Sequence, residues 1–261
     1  MRKPFYFGTN TKMFKTAQET AQFLKRLEKL TADIPEDLAR RFVIPSYTSL
    51  ARARETLDRS GSGILLGAQN SGWEERGQFT GEISPLMLRE AGARLVMVGH
   101  SERRHIFRET DGDEEKKVSC ALAHDFTVLL CIGETMSDRS YGIGDEVLRM
   151  QLKIGLHQVT EPMLGRVWVA YEPVWAIGTQ GVPAEPAYVE QKHQMMRRTL
   201  EEMYGEAGKD VPLLYGGSVN LENALPLSRC NEVDGLFIGR SAWDADSFNT
   251  IMRTVLKQAD R

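Results

Sequence analysis

Eight short apolar runs, evenly spaced along 261 residues, constrain this chain more than any other feature. They are Phe5–Gly8, Phe42–Ile44, Ile64–Ala68, Leu95–Val98, Val128–Ile132, Val167–Tyr171, Leu213–Tyr215 and Leu236–Ile238. Each is almost continuously apolar, where a strand with one wet face would alternate. Such runs suit strands covered on both faces, and hence a parallel sheet. Longer amphipathic stretches separate them. In Ala17–Leu30 the residues Ala17, Ala21, Leu24, Leu27 and Leu30 recur at intervals of three or four, one stripe of a helix. Similar stripes occupy Ser46–Leu57, Ser84–Ala91, Asp113–His124, Asp145–Val159, Pro186–Tyr204, Leu221–Leu227 and Asp246–Gln258. A βα unit thus repeats eight times, with no Ser/Gly/Pro-rich linker and no low-complexity tract. The spacing predicts an α/β fold, a single (β/α)8 barrel over residues 1–261, because such barrels need roughly 250 residues. A doubly wound open sheet is the competing architecture, but neither GxGxxG nor GxxxxGK[ST] follows any run.

Composition narrows the function. With 41% hydrophobic and 26% charged residues the chain can bury a full core without covalent staples. Lysine and arginine total 33 against 36 acidic residues, a net charge of -3, so the broad cationic surface that nucleic acid or an anionic membrane requires is missing. Any anion must be met by a local site. Cys120, Cys131 and Cys230 form no CxxC pair and no disulfide framework, which fits a reducing, cytoplasmic setting. The first ten residues lack a signal peptide's apolar run, and no stretch approaches the ~20 residues that span a bilayer.

In a barrel of this kind the chemistry sits where strands end, so the residues that follow each run matter most. Asn10 and Lys12 follow the first; Gly99-His100-Ser101-Glu102-Arg103-Arg104 the fourth; Glu172-Pro173-Val174-Trp175-Ala176-Ile177-Gly178-Thr179 the sixth; Gly216-Gly217-Ser218 the seventh; Gly239-Arg240-Ser241 the eighth. Glu172 stands beside Pro173, Trp175 and Ile177, surroundings that would desolvate it, which is how a general base is tuned. Position alone leaves it open between a base and a structural carboxylate paired with an arginine. His100 precedes Ser101-Glu102, a helix start whose positive end favours a neutral imidazole able to donate to a carbonyl oxygen. Taken singly it could equally be a structural histidine. The glycine turns after runs seven and eight expose backbone N–H groups where barrels of this type often hold phosphate. His105, His124, His157 and His193 lie in helical stretches without HxxxH or HExxH spacing, so no metal is expected, nor any cofactor. A base, a neutral electrophile and a lysine around a phosphate ester suit proton removal next to a carbonyl and return of the proton to the adjacent carbon, an isomerisation through an enediolate. Because an enediolate expels phosphate when water enters, such a site needs a lid. Residues 172–183 fit one, with an apolar tip at Val174–Gly178 and Gly181 as a hinge.

These strings, over nearly the whole chain, resemble the triosephosphate isomerase family. Ala170–Thr179 is similar to that family's base and lid, Val98–Arg104 to its electrophile segment, and Tyr215–Val219 to its phosphate loop. The pairing of a glutamate base with a neutral histidine in that family is an established example of pKa tuning. The resemblance implies Glu172 as base, His100 as electrophile, Lys12 and Asn10 as charge and oxyanion stabilisers, and Glu102 as a supporting carboxylate. It also implies phosphate contacts from the backbone of Gly178, Ser218, Gly239 and Arg240. The segment Gln69–Ile83 is similar to a loop that docks beside a neighbour's site, so the resemblance implies a homodimer acting on a small phosphorylated sugar. Three positions depart from the pattern: Arg240 replaces the second glycine after the eighth run, the lid exit reads Gln180-Gly181-Val182-Pro183, and Thr11 stands where tryptophan is usual. Gly239–Trp243, the lid exit and Glu82–Leu88 look like the branch that acts on erythrulose phosphates in erythritol breakdown. That favours L-erythrulose 1-phosphate over triose phosphates as substrate. A non-catalytic phosphate-binding barrel is the remaining alternative.

Overall fold

In the computed structural model, which describes residues 3–59, 61–178 and 181–257, every apolar run forms a strand. The strands are β1 (Phe5–Asn10), β2 (Ala39–Ile44), β3 (Leu65–Ala68), β4 (Leu95–Val98), β5 (Thr127–Ile132), β6 (Val167–Tyr171), β7 (Leu213–Tyr215) and β8 (Gly235–Phe237). All neighbours pair in parallel, in sequence order, and β8 closes on β1 through Tyr6↔Gly235 to Gly8↔Phe237. This is a closed eight-stranded barrel, and the open sheet is ruled out.

The helices are α1 (Ala17–Thr31), α2 (Leu50–Asp58), α3 (Pro85–Glu90), α4 (Ser101–His105), α5 (Asp111–Ala123), α6 (Met136–Ser140), α7 (Gly144–Gly155), α8 (Pro186–Tyr204), α9 (Ala224–Ser228) and α10 (Ala245–Leu256). Their starts follow local capping chemistry. Thr16 with Glu19, Thr110 with Asp113 and Thr135 with Asp138 each form a reciprocal capping box at the heads of α1, α5 and α6. The Thr110 cap starts α5 two residues before the periodicity does, and the Thr135 cap creates α6, a single turn too short to show a stripe. The stripe read over 46–57 splits into a 3-10 turn, Tyr47–Ser49, followed by α2. The expected end of the last helix, Gln258, lies outside the described residues. Among those residues no helix is long and apolar enough to cross a membrane.

Alternation along the strands divides the core in two. Outward residues such as Phe7, Val43, Val96, Leu130 and Val169 pack with Leu24, Leu152, Leu200 and Ile251 of the helices. Inward residues, among them Tyr6, Phe42, Met97, Leu129, Cys131, Trp168, Ala170 and Leu214, fill the barrel. Gly8 is the space into which the Phe42 ring fits: a Cβ there would lie 1.9 Å from the ring. Continuing the inward register by two residues beyond Gly8 and beyond Ala170 gives Asn10 and Glu172. The packed interior therefore aims these two side chains at the barrel mouth.

One buried group sits awkwardly in this frame. Glu114 of α5 is fully buried, and neither carboxylate oxygen has a hydrogen-bond partner among the described residues. Burial pushes its pKa up from 4.5 to about 7, with Arg104 opposing the rise. The folded state therefore holds a proton that the unfolded chain releases between pH 4.5 and 7, so stability falls as pH rises through that window. At ~1.4 kcal/mol per pKa unit the loss reaches about 3 kcal/mol. Urea unfolding at pH 5 and pH 8 checks this: Glu114→Gln should gain on the native protein at pH 8 and not at pH 5. An equal difference at both pH values would contradict it.

Candidate active site

All nine sequence-predicted site residues line one cavity of about 610 Å³ at the carboxyl mouth of the barrel. Asn10, His100 and Glu172 are 6%, 3% and 4% exposed, so their polar atoms face the cavity and not bulk water.

Glu172 is placed by the continuing strand ladder. Its N–H donates to the Ile132 carbonyl at 2.8 Å, and the Gly216 N–H donates to the Tyr171 carbonyl at 2.8 Å. Two glycines make the room: a Cβ on Gly133 would sit 2.0 Å from the Glu172 carbonyl oxygen, and one on Gly216 would sit 2.6 Å from Glu172 Cγ. Glu172 Oε2 is buried with no hydrogen-bond partner among the described residues. A buried carboxylate oxygen without a donor is costly, and a C–H acid in the cavity is what it can act on. Among the described residues no arginine pairs with it, as the structural alternative would require. Cys131, inside the barrel next to it, has its thiol pushed well above the usual range by burial, by the Glu172 charge and by a hydrogen bond to the Glu172 carboxylate, so it stays protonated and donates.

His100 caps α4. Its Nδ1 accepts from the Glu102 N–H at 3.2 Å, so that nitrogen carries no proton and the ring is the neutral Nε2–H tautomer. Nε2 lies 3.8 Å from Glu172 Oε1, so the two groups stand side by side on the wall of one cavity. Because α4 is barely more than one turn long, this single N–H, more than a helix dipole, holds the ring.

Lys12 has φ 50°, in the left-handed region that side chains avoid. Its neighbours over-determine that geometry. Asn10 Oδ1 accepts from the Lys12 N–H at 2.8 Å, and Gln69 Nε2 donates both to Asn10 Oδ1 at 3.0 Å and to the Lys12 carbonyl at 2.8 Å. Nζ pairs with Glu102 Oε1 at 2.7 Å. Strain held in this way at a site edge is the mark of a positioned charge. Trp243 donates from Nε1 to the Asn10 carbonyl at 2.8 Å and packs on Phe14, bracing the end of β1.

The segment after β6 differs from its expected form. Trp175 is not a free apolar tip. It is half-buried in the 3-10 turn Val174–Ala176, its indole N–H donates to Glu134 Oε1 at 2.9 Å, and Arg139 lies over its ring. Glu134 also accepts from the Tyr171 and Tyr188 hydroxyls at 3.0 and 2.9 Å. Gly181 rests against Ala176, where a Cβ would come within 2.7 Å of the carbonyl. Thr179 and Gln180, part of the expected lid, lie outside the described residues. Gly178 has φ 85°, Ser218 Oγ donates to the Ala176 carbonyl at 2.7 Å, and Arg240 Nη2 donates to the Gly178 carbonyl at 3.1 Å.

Of the histidines given no role, His193 is buried between the Tyr171 and Tyr215 rings, and burial pushes its pKa down to about 4. His124 binds Glu75 at the end of α5. Gln69, Glu134 and Trp243 hold the site together without having been singled out. Gln69 and Glu134 stand just past β3 and β5, so the rule of reading beyond each strand reaches both.

A TIM barrel with a carboxylate, a neutral imidazole and an ammonium around one polar cavity has the form of an enzyme that moves protons at carbon. The chain matches the family model described as triosephosphate isomerase over residues 5–255. It is 43% identical to the L-erythrulose-1-phosphate isomerase of Rhizobium etli, over 98% of this chain and 94% of that one. It is 41% identical to the triosephosphate isomerase of Treponema denticola, over 94% and 96% of the two chains. The crystal structure of triosephosphate isomerase from Bartonella henselae superposes with a TM-score of 0.86 at 32% identity, covering 97% of this chain and 99% of that one. The chain belongs to the triosephosphate isomerase family and is an isomerase.

The tight fit at Gly216 has a measurable consequence. Gly216→Ala should leave the fold intact by circular dichroism while lowering kcat about 10²-fold, because a side-chain displacement of around 1 Å in a catalytic group costs that much. A kcat within a few-fold of the native value would show that the placement of Glu172 does not depend on this glycine.

Proposed function

We propose that this protein interconverts phosphorylated ketoses through an enediolate, with L-erythrulose 1-phosphate to D-erythrulose 4-phosphate as the favoured pair. The observation that supports the reading best is the buried Glu172 oxygen without a hydrogen-bond partner among the described residues, in a cavity wall where a neutral His100 N–H stands beside it. Glu172 removes the proton from C3, next to the C2 carbonyl, and the electron pair becomes the C2–C3 double bond of the enediolate. His100 Nε2–H donates to the developing oxyanion, and the Lys12 ammonium, held by Glu102, offsets its charge. His100 passes the proton of the C3 hydroxyl to the C2 oxygen, and Glu172 returns its proton to C2, leaving a hydroxyl at C2 and the carbonyl at C3. Asn10 fixes the Lys12 backbone and lines the same cavity. Backbone groups of Gly178, Ser218, Gly239 and Arg240 receive the phosphate, and residues 172–183 act as the lid that keeps water from the enediolate. This chemistry asks nothing of a metal or cofactor.

The four-carbon substrate is favoured by the relatives from Rhizobium etli and Rhizobium rhizogenes, both named L-erythrulose-1-phosphate isomerase, and by Arg240 in place of glycine. Dihydroxyacetone phosphate to glyceraldehyde 3-phosphate is the second reading. The same base and electrophile serve it, and the Treponema denticola relative carries that activity's name. Side-by-side kcat/KM values for L-erythrulose 1-phosphate and dihydroxyacetone phosphate decide between them. A preference of at least about tenfold, ~1.4 kcal/mol, for the tetrulose is expected. The reverse preference would make this a triose enzyme, and turnover of neither would remove the reading.

The protein is further read as a cytoplasmic homodimer. The segment 69–83 presents Phe79 at 43% exposure, and Phe14, Ile106 and Phe107 are exposed as well, apolar surface of the kind a second copy would cover. Sedimentation should give the mass of two chains at micromolar concentration, and a mass of one would overturn this.

A further inference from the structure

The roles above use only the backbone of Arg240. Its side chain does something of its own. Arg240 opens the 3-10 turn directly after Gly239, lines the cavity, and donates from Nη2 to the Gly178 carbonyl at 3.1 Å. The loop after β8 is thereby tied to the segment after β6, 62 residues away in sequence. Among the described residues Arg240 has no carboxylate partner within ion-pair distance, whereas Lys12 at the same mouth is paired with Glu102. A guanidinium offers five N–H donors in a rigid fork and accepts nothing. One neutral carbonyl uses one donor and leaves the charge uncompensated.

A second tie runs parallel to the first. Ser218, in the loop after β7, donates to the Ala176 carbonyl, so the two loops assigned to the phosphate grip the segment after β6 at carbonyls two residues apart. Of the two, only Arg240 carries charge. Ser218, Gly239 and Gly178 line the same cavity as Arg240, so a phosphate seated on the backbone of those loops would share it with a forked cation already anchored to Gly178.

We propose that Arg240 is a latch: its guanidinium spans the Gly178 carbonyl and a phosphate oxygen of the substrate, so that the bound phosphate locks the lid segment over the enediolate. The chemistry explains why a lock matters. In an open site the enediolate expels the phosphate of the next carbon. The C–O bond to phosphate breaks with its electron pair leaving on phosphate, the enediolate oxygen becomes a carbonyl, and the remaining enol tautomerises to a dicarbonyl. The phosphate half of the proposal rests on the isomerase reading, while the tie to Gly178 does not.

The test uses the full-length protein with R240G, which replaces the side chain with the glycine of the family pattern, and R240K, which keeps the charge but not the fork. Hydrogen exchange at the amides of Ala176–Gly178 is followed with and without inorganic phosphate, together with phosphate released per isomerisation. In R240G exchange should be about fivefold faster, the ratio that one net hydrogen bond commands. Phosphate should slow exchange in the native protein and far less in R240G. R240K should retain phosphate binding without the protection. Phosphate release per turnover should rise by a similar factor in R240G. Exchange unchanged by R240G, or a raised KM with no extra phosphate release, would overturn the latch. A native protein whose lid amides are slowed by phosphate in an Arg240-dependent way, yet which isomerises neither sugar phosphate, would retain the latch and remove the substrate reading.

Discussion

One backbone N–H, that of Glu102, decides the character of the site. By donating to His100 Nδ1 it leaves that nitrogen without a proton, fixes the ring and leaves Nε2–H as the ring's donor beside Glu172. The same residue's carboxylate then holds Lys12. The imidazole and the ammonium are thus both set by Glu102, one by its backbone amide and the other by its carboxylate. A proton on Nδ1 would lose this bond and bring a second positive charge to the wall that Lys12 already occupies.

The barrel makes this arrangement possible by the way its interior is filled. Phe42 and Trp168 plug the centre, with Gly8 vacated for the Phe42 ring, and each inward register runs upward until an apolar side chain gives way to a polar one. Asn10 and Glu172 are where two registers emerge. The glycines beside Glu172 follow from the same logic: Gly133 leaves room for the Glu172 backbone carbonyl, and Gly216 leaves room for its side chain. Above this floor the segment Val174–Gly178 is moored by Trp175 on Glu134 and further on by Ser218 and Arg240.

Most of the architecture is legible in the sequence because parallel strands buried on both faces write themselves as unbroken apolar runs. β4, β6 and β7 begin and end where their runs do. Helix limits are less legible where capping and not periodicity sets them, as at Thr110 and Thr135. The candidate site reads well where a polar string directly follows a strand, and all nine residues so identified meet in one cavity. What stays hidden is support delivered across the fold. Trp243 reaches the Asn10 carbonyl over 233 positions, and nothing local to either residue announces it. Trp175 reads as an exposed aromatic because its partner, Glu134, is 41 positions away. The side chain of Arg240 shows in sequence only as a departure from a pattern; its hold on Gly178 is a fact of three dimensions.

The central claim is that Glu172 carries a proton between carbon and carbon, and solvent labelling tests it directly. Isomerisation of L-erythrulose 1-phosphate in deuterium oxide, followed by proton NMR, should place solvent deuterium on the carbon that is reprotonated. Glu172→Gln should slow that labelling by about 10²–10⁴-fold, the usual contribution of a general base. Product formed at an undiminished rate by the variant, or product carrying no solvent deuterium, would contradict the account.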